Sequence, residues 1–402
     1  MSRPRGPAQV AAYVEAGDER SLRAALCRLL EPDEWTNEVD RVVGVCGIVD
    51  AFARLLDPRA AGHGYLAAGL GPRLDELDVA SDLGRGAARG ARFVIPGDEE
   101  WPERLDLLPR PPYGLWVRGE HHLAELTARS VAVIGSRASS AYGERTAGQL
   151  TAGLALRGWT VVSGGAYGID AAAHRAALAV PTPTVAVLAS GVDVPYPVAH
   201  TSLIERIAAE GLVVSEQPPG DAPRQLRFLA RNRIVAALTR GTVVVEAGPR
   251  SGTATTARQA GSLGRAVMVV PGPVDAWASR GCHELLRKHP DYRLVASAEH
   301  VVEEVGLIGI DLAPEVRGPA RTRDGLKINT RRVLDAVPAM TAIPPGRLVV
   351  SAGMDEQAVA LALRDLQRMG LVERTPAGVR LSASERARRC VPREGAWGTI
   401  GG

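Results

Sequence analysis

Three short groups of residues in this chain carry side chains suited to holding phosphate. The stretch Gly248-Pro249-Arg250-Ser251-Gly252 follows the β-branched run Val243–Val245 and precedes Thr253-Ala254-Thr255-Thr256-Ala257. A small, glycine-bearing turn between a strand and a helix start leaves backbone N–H groups free to meet an anion, and phosphate is the usual occupant. Ser251, Gly252 and Thr253 are therefore candidate contacts. Upstream, Phe228-Leu229-Ala230-Arg231-Asn232-Arg233 sets two guanidinium groups and an amide beside one of only three phenylalanines. A ring next to cations can stack a base and grip a phosphate. The competing reading is a solvated helix face. From Asp221 to Arg265, eight arginines (224, 227, 231, 233, 240, 250, 258 and 265) stand against two acids, Asp221 and Glu246.

Two further strand ends have the same character. In Gly135-Ser136-Arg137 the glycine lets the chain turn, the serine can donate to a phosphate oxygen and Arg137 can fork onto one. No G-x-G-x-x-G follows, so the usual dinucleotide fingerprint is missing. Ser163-Gly164-Gly165-Ala166-Tyr167-Gly168-Ile169-Asp170 is a second strand-to-helix loop, in which Asp170 can cap the helix. His174, one turn on, could be a general base, a phosphate donor or a packing residue, and packing is favoured because no nucleophile is spaced to work with it. Glu246 ends a buried strand with no second carboxylate set to face it, which favours structure over catalysis. The residues assign no catalytic group, no cofactor and no metal.

The elements that must position these groups alternate between residues 130 and 305. Strands are expected at Val131–Ile134, Thr160–Ser163, Thr184–Leu188, Leu212–Ser215, Thr242–Glu246 and Ala266–Val270. Helices are expected near 140–157, 169–179, 199–210, 225–238, 253–263 and 280–288. That rhythm is a doubly wound parallel sheet. Its ligand crevice lies outside the carboxyl ends of the strands, where the polar loops should converge.

Around this centre, residues 1–90 read as a small helical domain of the SAM-like or helix-hairpin-helix kind. The proline-rich stretch 91–127 is an extended lead-in, ending in a strand at Leu115–Val117. Residues 306–325 form a linker. Residues 326–382 combine helices with two strands around Pro376-Ala377-Gly378, the pattern of a winged helix-turn-helix, and 383–402 reads as a disordered tail. Net charge is only +3, so any affinity for nucleic acid must come from clustering. Four cysteines without C-x-x-C disfavour metal and disulfide frameworks. No apolar run is long enough to span a membrane, and a cytoplasmic protein is expected.

Taken together the motifs resemble the DNA-processing protein A family. The matching residues run from Ile95-Pro96-Gly97-Asp98 and Trp101-Pro102 through Val131–Arg137, Tyr142-Gly143, Ser163–Asp170, Ala173-His174, Gly191–Asp193 and Tyr196-Pro197. They continue with Ser215-Glu216, Pro218–Gly220, Phe228, Arg231–Arg233, Val245–Ala247 and Ser251-Gly252, and close with Gly264-Arg265 and Pro271-Gly272. The resemblance implies an extended Rossmann-like domain that binds single-stranded DNA as a homodimer during natural transformation, protects it and helps load a RecA-type recombinase onto it. By family position it implies a DNA pocket at Arg137, Ser163, Gly164, Arg231, Asn232, Arg233, Ser251 and Gly252, to which the reading of the residues themselves adds Gly135, Ser136, Phe228 and Thr253. It implies no turnover chemistry. Departures fall at Tyr167, Val198-Ala199-His200, Leu229 and Thr253–Thr256, and bear on pocket detail.

Two alternatives stay open. The loop also resembles nucleoside-monophosphate phosphoribohydrolases, although the acidic residue that follows their Gly-rich loop is absent. A ligand-sensing winged-helix regulator is the other, with only Arg364 and Arg368 as bases on the recognition helix.

Overall fold

The computed structural model describes residues 5–31, 36–56, 72–249, 251–307, 311–314 and 324–390. Arg250 and residues 391–402 of the expected tail lie outside them. The described chain divides into two compact units, 1–314 and 315–402, and the division falls within the segment read as a linker.

The first unit is built on a nine-stranded sheet. Its strands are β1 (Ala91–Val94), β2 (Leu115–Arg118), β3 (Ser130–Ile134), β4 (Thr160–Ser163), β5 (Thr184–Leu188), β6 (Leu212–Ser215), β7 (Gly241–Val244), β8 (Ala266–Val269) and β9 (Arg293–Leu294). In space they run β1-β2-β6-β5-β4-β3-β7-β8-β9. The seven strands from β3 to β9 are parallel. The lead-in contributes two antiparallel strands at one edge, where Trp116 pairs with Ser215 and Phe93 with Trp116. Valine-rich β3, β4, β5 and β7 are buried along their whole length, as parallel strands covered on both faces must be.

Alternation along each strand divides the core. Ala132, Ile134, Val162, Val185 and Val214 face helices α9 (Gln225–Leu238) and α10 (Thr253–Ser262). On the other face Val131, Val133 and Val243 meet helices α6 (Ala141–Ala155) and α12 (Ala298–Val305). That second face continues into a further cluster, where Ala186, Leu188 and Val213 share a core with Leu22, Leu26, Leu29 and Phe52. The boundary expected at residue 90 therefore does not separate two cores. The N-terminal helices α1 (Gly6–Ala16), α2 (Glu19–Leu29), α3 (Thr36–Leu56) and α4 (Val79–Ala88) are completed by the sheet. The approach is close at Gly86, where an added Cβ would lie 2.7 Å from Trp116 Cζ3.

Between α6 and α12 the remaining helices of this unit are α7 (Ile169–Ala179), α8 (Thr201–Glu210) and α11 (Arg280–Lys288), with the short α5 (Leu123–Ala128) leading into β3. Among the described residues no helix is long and apolar enough to cross a membrane.

The second unit contains α13 (Ile328–Ala336), α14 (Pro345–Ala352) and α15 (Glu356–Arg368), then a hairpin of β10 (Val372–Thr375) and β11 (Gly378–Leu381). Helix α14 starts within Pro344-Pro345-Gly346. Pro345 occupies the first turn of that helix, where its missing N–H leaves no bond unmade. Leu334, Leu348, Val359, Leu363, Leu366 and Leu381 close the core. The tail expected from residue 383 is corrected at its start, where Ala383–Cys390 is a helix, α16. Ser382 Oγ accepts from the Glu385 N–H at 3.4 Å, and Ser-x-x-Glu is a helix-start pattern the sequence reading passed over.

Candidate nucleic-acid interface

The sheet reverses its winding between β3 and β7, and a cleft of about 990 Å³ opens above their carboxyl ends. This is where doubly wound sheets hold ligands. Gly135, Ser136, Arg137, Gly164, Phe228, Arg231, Asn232, Ser251, Gly252 and Thr253 all line it. Loops after β3, β4 and β7 thus converge as expected. The loops after β5 and β6 do not line the cleft and close on each other: Ser215 Oγ donates to the Ser190 carbonyl at 2.7 Å.

Close backbone approach explains the glycines. A Cβ on Gly135 would lie 2.5 Å from Ile169 Cγ1. Gly168 has φ +75°, and a Cβ there would lie 2.3 Å from the Ser136 carbonyl oxygen. The β3 and β4 loops are therefore held against each other, which fixes Ser136 and Arg137 at the mouth.

Arg137 is exposed, and its Cζ sits 4.9 Å from the centroid of the Phe228 ring. Among the described residues no hydrogen bond or ion pair engages its guanidinium. Phe228 also packs against Tyr196, with ring centroids 5.5 Å apart, and Tyr196 is itself exposed. Trp277, 66% exposed, stands on the rim with Arg280 5.2 Å from its ring centroid. The sequence reading missed Trp277 and Gln225. A tryptophan in the short loop segment Asp275–Ser279, outside any apolar period, was the available signal.

Arg231 lies below, 7% exposed. Its Nη1 donates to the Gly164 carbonyl at 2.7 Å and also to the Val187 carbonyl. Burial pulls its pKa down to about 10, Asp170 opposes the shift and Arg137 adds to it. The carboxyl of Asp170 is pushed above the usual carboxylate range by burial, with Arg231 acting against that. Asp170 also accepts from the Gly164 and Ala166 N–H groups at 3.2 and 3.4 Å, so it ties the β4 loop rather than capping from the N-cap position, which Gly168 holds.

Several expected contacts are redirected. Ser163 is fully buried, and its hydroxyl donates to the Val133 carbonyl at 2.6 Å, because the residue still belongs to the covered strand. Arg233 does not line the cleft; it pairs with Glu216 at 2.7 Å. Residues two apart on a helix point to different sides, so Arg231 and Arg233 cannot serve one pocket. Arg224 and Arg227 pair with Glu31, just past the end of α2, at 2.8 and 2.6 Å. The N–H groups expected at the start of α10 are largely engaged within the loop: Thr253 with Ser251 Oγ, Ala254 with the Ser251 carbonyl, and Thr255 and Thr256 with the Gly252 carbonyl. Those engaged N–H groups leave side chains, more than the helix start, to meet an anion at that end.

The other candidates are structural. Glu246 is 1% exposed and accepts from the N–H and hydroxyl of Ser140, the N-cap of α6. His174 is fully buried; burial pulls its pKa down to about 3. Thr184 donates its hydroxyl proton to the Val161 carbonyl, so His174 Nδ1 must carry the hydrogen directed at Thr184 Oγ1, 2.9 Å away. Among the described residues no group of three or more His, Cys, Asp or Glu could hold a metal ion.

An extended Rossmann-like sheet with a cation-and-ring cleft at its topological switch point defines a class of nucleotide- and nucleic-acid-binding proteins. The comparisons narrow the class. Residues 92–306 match the family model for DNA recombination-mediator protein A, and the chain belongs to that family. A putative DNA processing protein DprA of Mycobacterium tuberculosis is 43% identical over 361 residues, 87% of this chain and 91% of its own. DNA processing protein DprA of Streptococcus pneumoniae is 40% identical over 207 residues, 52% of this chain and 72% of its own. The X-ray structure of DprA from that organism superposes with a TM-score of 0.57 at 30% identity, covering 73% of this chain and 98% of that one.

Proposed function

We propose that this protein binds single-stranded DNA in the cleft above β3 and β7, protects it, and delivers it to a RecA-type recombinase during transformation and recombination. It acts in the cytoplasm as a homodimer and without turnover chemistry. The observation that carries the reading is the pairing of Arg137 with Phe228 at the cleft mouth: an exposed cation without a carboxylate partner beside a ring, with Tyr196 and Trp277 nearby. Arg137 meets phosphate, and the rings accept the face of any base, so strands of different sequence are held alike. The two buried carboxyl groups a hydrolytic reading would use are both committed, Glu246 to holding Ser140 and Asp170 to the N–H groups of Gly164 and Ala166. The helices and hairpin of residues 326–382 serve in this account as a winged-helix module.

The test is competition: unlabelled single strands of scrambled sequence should displace a fluorescent oligonucleotide equally well, while nucleoside monophosphates are not hydrolysed. Strong preference for one sequence, or release of base from monophosphates, would overturn the reading. Recombinase delivery is tested separately, by whether the protein speeds filament assembly on a single strand.

A further inference from the structure

The opposite edge of the sheet carries a second group of arginines. Four adjacent parallel strands, β3, β7, β8 and β9, are each preceded or opened by one: Arg129, Arg240, Arg265 and Arg293. Neighbouring strands lie about 4.8 Å apart, so the four form a staggered row along the amino ends of the strands. Arg104 joins them across an open cavity of about 610 Å³ that Arg104, Arg240, Arg265 and Arg293 line together.

Helix C-termini also gather at this edge, and capping explains part of the arrangement. Arg104 donates to the Thr127 and Ala128 carbonyls at 3.2 and 3.1 Å, and Arg240 Nε donates to Ala128 at 2.8 Å. Arg293 lies 3.6 Å from Glu304, and Asp291 is the other acid at the rim. Capping does not explain Arg265. Among the described residues no hydrogen bond or ion pair engages its guanidinium, and its Nε is buried without a partner. Arg104 titrates below its ordinary range through burial and through repulsion by Arg265 and Arg240. Arg104, Arg240 and Arg265 are half-buried like charges held together, none of them in an ion pair among the described residues, and such a group favours an anion.

We propose that this cavity is a second anion site, distinct from the cleft above β3 and β7, that takes phosphate groups through Arg265 with Arg104 and Arg240. The phosphate comes either from a free polyphosphate or from the backbone of a nucleic-acid strand, and the chemistry of recognition is the same. The site does not depend on the function proposed for the cleft.

The test uses the full chain with tripolyphosphate, a short single-stranded oligonucleotide and a long one as probes, in the wild type and in R137A, R265Q and R265K. R137A removes the cleft's own phosphate contact, so tripolyphosphate binding that persists in R137A reports the second site, and R265Q and R265K are compared in that background as well as alone. That binding should weaken by about tenfold or more with R265Q, as expected for loss of a charged hydrogen bond, and recover in part with R265K. Circular dichroism and melting temperature confirm that R265Q is folded. If the source is a nucleic-acid backbone, R265Q also lowers the salt slope for the long strand by about 0.7 and leaves the short strand unchanged. If it is free polyphosphate, both strands bind R265Q as they bind the wild type. Equal tripolyphosphate affinity in R137A with and without R265Q, both folded, overturns the site. Failure of the short strand to bind the wild type contradicts the function of the cleft and leaves the tripolyphosphate result standing.

Discussion

The Arg231 guanidinium fills the space that a side chain on Gly164 would need: an added Cβ would lie 2.3 Å from Arg231 Nη2, while Arg231 Nη1 donates to the Gly164 carbonyl. The floor of the cleft is thus a charged group locked beneath a glycine loop. Gly164→Ala should displace a buried cation and destabilise the protein by about 1–3 kcal/mol, the usual range for overpacking. A urea midpoint equal to the wild type's would show that Arg231 moves without consequence.

Arg137 and Arg231 should behave differently under substitution. Arg137→Ala removes an exposed cation, so single-strand affinity should fall and the log–log salt slope should flatten by about 0.7, with stability unchanged. Arg231→Ala leaves the Gly164 and Val187 carbonyls without their donor, so it should cost about 1–3 kcal/mol of stability. Salt titrations and urea melts on the two variants separate these outcomes, and an unchanged slope in Arg137→Ala would remove it from the interface.

That contrast also marks how far the sequence was legible. β4, β5, β6, α7, α9 and α11 fall where the apolar spacing put them, because a parallel sheet covered on both faces writes long valine runs between glycine turns. The convergence of the β3, β4 and β7 loops followed from topology. The fate of individual polar groups did not. Arg224 and Arg227 share Glu31, which stands nearly two hundred residues away in sequence, and no local pattern announces that contact, although Arg227 also pairs with the nearby Asp221. Arg233 was legible in retrospect, since helix geometry separates it from Arg231. Ser163 closes β4 where the strand was expected to end, but its hydroxyl turns back to the Val133 carbonyl instead of toward the cleft.

The rim should contribute stacking rather than charge. Trp277→Ala is expected to weaken single-strand binding by about 1–3 kcal/mol while leaving the salt slope as it was. A titration at two salt concentrations reads both quantities, and a changed slope with unchanged affinity would contradict a stacking role.

His174 ties stability to pH. Its folded pKa is depressed to about 3, from an ordinary 6.5, mainly by burial. For a base with a depressed folded value, the unfolded chain binds the extra proton between the two pKa values. Stability from this group is therefore complete above about pH 6.5 and is lost as pH falls toward 3, by about 2 kcal/mol between pH 7 and 5. His174→Gln should show a shallower fall over that range in urea melts, and identical slopes would place the pH dependence elsewhere.

Ser140 and Glu246 should prove structural. Ser140→Ala removes an N-cap and one partner of a buried carboxylate, so it should destabilise the protein by at least about 1 kcal/mol. A stable Ser140→Ala protein with altered DNA binding would return Glu246 to the functional site.

The most direct test of the central claim is a binding titration of the full chain against fluorescent single-stranded and duplex oligonucleotides at two salt concentrations. The cleft predicts clear preference for the single strand, weakening as salt rises and flattened in Arg137→Ala. Preference for duplex, or no binding to either, would contradict it.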